Sequence, residues 1–155
     1  MTKKLSDEEC RENYNRLRSL FDEVIGDSAR FEMVYANGTE VGLTNAVIVR
    51  VTTYTYASYA VGFDTAANEI IILPVVPDLT DHGEPIYLKH SEIKKAKQSF
   101  FTKTITVYDK RLPKTYIELD VVPLLNEDPD DVILLTEQEK EYERFMAFFK
   151  TQYKK

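Results

Sequence analysis

The chain has 155 residues, of which 43% are apolar and 30% charged, and a formal net charge of −6, which fits one folded domain and not a disordered chain. The negative balance disfavours nucleic acid as a partner on overall charge. A single cysteine, Cys10, excludes an intramolecular disulfide and suits a cytoplasmic address with the thiol buried.

The first expected element is a helix over Ser6–Ile25. Ser6 followed by Glu9 makes a capping box, and Asp7, Glu8 and Glu9 set negative charge at the positive end of the helix dipole. Apolar positions recur at Cys10, Tyr14, Leu17, Phe21 and Val24, a stripe that needs a sheet face to pack against. Gly26 is the stop.

From about Ala29 to Val122 the chain reads as strands. Phe31, Met33 and Tyr35 alternate, and Asn37-Gly38 is a turn signal. Val47–Val51 is β-branched, Thr52–Phe63 is rich in Thr, Tyr, Ala and Val, and Asp64–Asn68 looks like a hairpin connection into Glu69–Val76. The longest apolar run, Ile70 to Val76, is strand-sized and too short to span a membrane. Pro77–Pro85 is a loop by composition, Ile86–Leu88 resumes as a strand, and His90–Gln98 fits either a helix or a strand. Thr104–Tyr108 and Tyr116–Val122 are expected to pair around a turn. Consecutive strands with short connections predict an antiparallel meander.

The acidic linker Asn126–Asp131 leads to a second expected capping box, Thr136 with Glu139, opening a helix over Thr136–Tyr153. Its stripe is Tyr142, Phe145, Met146, Phe149 and Tyr153. The fold class is therefore α+β: a bent antiparallel sheet or partly open barrel of six or seven strands, with a helix at each end of the chain.

Charge is distributed unevenly. Lys89–Lys114 holds eight basic residues against Glu92 and Asp109, net +6, whereas Thr115–Glu143 holds ten acidic residues against Lys140, net −9. Within the basic stretch Lys94, Lys95, Lys97 and Lys103, with Phe100 and Phe101 beside them, are candidates for contacting a partner. A second candidate surface is Tyr54 and Tyr56, provided both share one exposed face. The partner expected is another protein. An anionic membrane surface fits the same lysines, and a homodimer through the tyrosine strand is compatible with the sequence. A competing account pairs the basic stretch with the acidic one inside the chain.

Catalytic motifs are sparse. Five scattered glycines build no phosphate-binding loop, and His82 and His90 sit in no metal-ligand spacing. An enzyme would have to draw on Asp78, Asp81 and Glu84 beside His82, or on His90 near Glu92. No cofactor is implied, and no metal is expected.

The stretch Ile86-Tyr87-Leu88-Lys89-His90-Ser91-Glu92-Ile93-Lys94-Lys95-Ala96-Lys97-Gln98-Ser99, followed by Phe100-Phe101-Thr102-Lys103-Thr104-Ile105-Thr106-Val107, resembles bacterial pleckstrin-homology-like domains. There a strand runs into a serine–acidic–isoleucine step, a lysine-rich segment and a β-branched strand. The resemblance covers about residues 29–153. It implies a bent barrel plugged at one end by the last helix, and a non-catalytic binding or scaffolding module. The first helix lies outside that pattern. Tyr35–Asn45 carries Glu40 and no lysine or arginine, so phosphoinositide binding is not implied.

Overall fold

The computed structural model describes residues 3–26, 28–41, 48–51, 54–98, 104–109, 116–128 and 134–152. After a two-residue strand, β1 (Lys3–Lys4), comes α1 (Asp7–Ile25). Its capping box forms as expected: the Glu9 N–H donates to Ser6 Oγ at 3.2 Å, and the Ser6 N–H donates to Glu9 Oε1 at 3.1 Å. Gly26 ends the helix at φ +82°, a left-handed conformation that costs little without a Cβ, and its N–H donates to Asp22 O.

The strands follow as β2 (Glu32–Val41), β3 (Ile48–Val51), β4 (Tyr54–Asp64), β5 (Glu69–Val75), β6 (Ile86–Lys89), β7 (Ile93–Gln98), β8 (Ile105–Asp109), β9 (Tyr116–Asp120) and β10 (Glu127–Asp128). α2 (Glu139–Gln152) closes the series. The main sheet is antiparallel, in the order β6-β5-β4-β2-β9-β8-β7, with β3 attached to β4. The expected α+β class, with a bent open sheet and a helix near each end, is the one observed. β6 and β7 are the two ends of the sheet, yet only the 3-10 turn His90–Glu92 separates them in sequence. The sheet must therefore curl until its ends share a corner, although β6 and β7 do not pair. The same turn resolves His90–Gln98, as a single turn and then a strand.

Both faces of the central strands are covered. Met33, Tyr35, Ala60, Ile71, Leu73 and Val75 pack with Tyr14, Leu17 and Phe21 of α1. The alternate residues Val34, Ala36, Val61, Phe63, Ile70 and Ile72 pack with Phe145, Phe148 and Phe149 of α2. A strand buried on both faces reads as an unbroken apolar run, which is why Ile70–Leu73 lacks alternation. Phe148, outside the expected stripe of α2, widens it. The Phe145 ring lies 5.4 Å from Phe63 and 4.9 Å from Phe149, centre to centre. Pro74 is tolerated in β5 because it lies beyond the last pair with β6, Ile72↔Ile86.

Two local expectations are overturned. Asn37-Gly38 is not a turn; it lies inside β2 and pairs with Ser58 and Ala57 of β4 on one edge and Asp120 and Leu119 of β9 on the other. Here β2 passes from one neighbour to the next, and pairing on both edges overrides the local turn preference. The capping box Thr136–Glu139 does not form either, and the second helix begins at Glu139. Leu125 N–H donates to Thr136 O and Gln138 N–H to Pro123 O, both at 2.9 Å, which holds 136–138 extended against 123–125. Tyr153, the expected last position of the stripe, lies outside the described residues.

Gln138 takes over the start of α2. Its backbone carbonyl accepts from Tyr142 N–H at 2.7 Å, and its buried amide faces β2. Oε1 accepts from Tyr35 N–H at 2.7 Å, while Nε2 donates to Tyr35 O at 3.0 Å and to Val122 O at 2.9 Å. The side chain thus serves as a one-residue strand partner where β9 has not yet reached β2.

Candidate functional site

The lysine-rich segment forms an end of the sheet. Among the described residues β7 pairs with β8 alone, through Ile93↔Asp109, Lys95↔Tyr108, Ala96↔Val107, Lys97↔Thr106 and Gln98↔Ile105, with a register shift between Ile93 and Lys95. Ile93 and Ala96 are buried in the core, and Lys97 between Ala96 and Gln98 is exposed. The backbones of Lys94 and Lys95 lie in the same strand, and Lys89, also exposed, ends β6 at the shared corner. Phe100, Phe101 and Lys103 lie outside the described residues.

Among the described residues part of the acidic stretch is engaged elsewhere. Glu127 and Asp128 pair with Lys4 and Lys3 as strands β10 and β1, and Lys4 Nζ lies 3.5 Å from Glu127 Oε1. Glu141 takes both guanidinium nitrogens of Arg11, at 2.8 and 2.9 Å. Burial pushes the Glu141 carboxyl up, but its hydrogen bonds to Arg11 and to its own backbone N–H outweigh this and hold it below the usual carboxylate range. Neither Lys89 nor Lys97 makes an ion pair among the described residues.

Tyr54 and Tyr56 lie in the first part of β4, opposite Val51 and Val49 of β3.

Of the groups an enzyme would draw on, Asp78, Asp81, His82, His90 and Glu92 make local hydrogen bonds. Asp78 Oδ1 accepts from Thr80 N–H at 3.0 Å and from Thr80 Oγ1 at 2.6 Å, bonds that hold its carboxyl below the usual range. Asp81 Oδ1 accepts from His82 N–H, and His82 Nδ1 lies 3.0 Å from Gly83 O. His90 Nδ1 lies 2.7 Å from the Asn68 amide nitrogen, and Glu92 Oε1 accepts from Lys89 N–H at 2.9 Å, so both brace the corner between β6 and β7. No group of three or more His, Cys, Asp or Glu among the described residues is placed to hold a metal ion. Two surface hollows border α2. One, of about 520 Å³, is lined by Arg11, Glu137, Glu139, Lys140 and Glu143; the other, of about 340 Å³, is lined by Glu32, Thr65, Arg144, Ala147 and Phe148. Neither contains the loop carboxylates or a histidine.

The feature missed from sequence is the edge position of β7. It depends on the pairing order of seven strands, and no local signal carries it. Compared with family models, curated proteins and solved structures, the chain matches none of them. No helix among the described residues is long and apolar enough to cross a membrane.

Proposed function

We propose that the chain is a non-catalytic binding module of the pleckstrin-homology-like kind, which engages another protein through the lysine-carrying strand β7. The observation that carries this reading is the position of β7: a basic strand at the end of the sheet, with Lys97 exposed, on a chain that is otherwise net acidic. The resemblance is supported by the meander order and by the aromatic side of α2, which packs Phe145, Phe148 and Phe149 against one face of the bent sheet. A filled interior puts recognition on the rim. A cytoplasmic setting goes with the single cysteine, whose buried thiol lies 3.5 Å from Leu125 O.

The same strip of lysines supports a second reading, an anionic lipid or polyanion surface. The test compares the chain with a variant carrying Glu at positions 94, 95, 97 and 103, and with Lys97→Glu alone, using polyglutamate and mixed phosphatidylserine–phosphatidylcholine vesicles. Polyglutamate binding is expected to weaken by at least about tenfold in the quadruple variant and to fall with added salt. Unchanged binding in both variants rejects β7 as the surface. Lysine-dependent binding to vesicles alone moves the function to the second reading.

A further inference from the structure

We infer that the partner presents an acidic segment in extended conformation, which joins the sheet as an added strand along the outer edge of β7. This rests on the reading of β7 as the binding surface and names what it binds. A terminal strand leaves one row of backbone N–H and C=O groups unpaired, and such a row is a template for another strand. β7 offers six residues, and its register with β8 is continuous from Lys95 to Gln98.

The lysines select the occupant. Like charges directly opposite one another destabilise a strand pair, and opposite charges stabilise it. Two β7 edges from two copies would bring Lys94, Lys95 and Lys97 into one seam, so a second copy is a poor occupant. An acidic strand brings opposite charge alongside a strand that carries Lys94, Lys95 and Lys97. The chain already contains this kind of pair in miniature: β1 sets Lys3 against Asp128 and Lys4 against Glu127 in antiparallel register. That pairing already engages Glu127 and Asp128. The sequence on either side of the basic stretch is net negative, so this strip is the longest basic segment open to an acidic chain.

The test uses two synthetic peptides of one sequence, alternating Glu with Thr and Val, one of them N-methylated at alternate residues to block strand pairing without changing charge. The unmethylated peptide is expected to bind at least about tenfold more tightly and to slow amide exchange at residues 93–98. Lys97→Glu should weaken binding, and a lysine-bearing peptide should recover part of it. Lys97 is exposed, so this variant is expected to fold, and an unchanged melting curve verifies that. Equal binding of the two peptides, with lysine dependence retained, overturns strand addition while leaving the basic rim as the surface. Binding of neither peptide overturns both readings. A chain that dimerises with protection of residues 93–98 in the absence of peptide makes a second copy the occupant and also overturns the inference.

Discussion

Replacing Gln138 by Leu is expected to cost about 3–5 kcal/mol of folding stability, far more than a change of similar size at an exposed position. Leucine nearly fills the volume but offers no hydrogen bond. Tyr35 N–H, Tyr35 O and Val122 O would each lose a partner at a site where Gln138 is fully buried, and each unsatisfied buried group costs about 1–3 kcal/mol. The damage should spread, because Tyr35 is itself a junction. Its hydroxyl lies 2.9 Å from Ser58 Oγ and from Asn37 Oδ1, and it accepts from Leu134 N–H at 3.0 Å. Chemical denaturation reads the effect as a lower midpoint at an unchanged slope. A loss below about 1 kcal/mol would mean that water or a local shift replaces the amide, and the bracing role given to Gln138 would be wrong.

Gly62→Val is the second large effect, expected at about 3 kcal/mol. A Cβ at position 62 would stand 2.5 Å from Phe21 Cζ and 3.1 Å from Cε1. Phe21 is fully buried between α1 and the sheet, so its ring can give way only by disturbing its neighbours in that core. Glycine within a strand is normally a weakness, since alanine there gains roughly 0.5–1 kcal/mol in chain entropy. At this position the close approach of the helix reverses that sign. A double-mutant cycle decides whether the Phe21 contact is the cause. Gly62→Ala combined with Phe21→Leu should lose at least about 1 kcal/mol less than the sum of the two single changes. Simple additivity would place the clash elsewhere.

These positions show what the sequence makes legible. α1 could be delimited to within a residue because Ser6, Glu9 and Gly26 act through bonds inside one turn. The hairpin at Asp64–Asn68 was equally local: Asp64 Oδ1 accepts from the N–H groups of Ala66 and Ala67. Asn37-Gly38 and Thr136–Glu139 carry equally strong local signals, yet both yield to pairing with distant segments, β4 and β9 in one case and residues 123–125 in the other. The apolar run Ile70–Leu73 announced a buried strand but not that two helices cover it from opposite sides. For the candidate site, the identity and charge of Lys94, Lys95 and Lys97 were plain in the sequence. Their place at the end of the sheet was not, because it follows from the order of seven strands. Gly62 carried no signal of its close approach, which depends on where Phe21 lands.

The central claim is that recognition takes place on the rim at β7 and not in a pocket or at the loop carboxylates. Residue-resolved amide shifts during titration with polyglutamate test it most directly. The largest changes are predicted at residues 93–98 and at Lys89, with the Asp78–Glu84 loop and the Phe145–Phe149 segment unaffected. Changes centred on Asp78, Asp81, His82 and Glu84, or on the Tyr54–Tyr56 ribbon, with β7 silent, would contradict it.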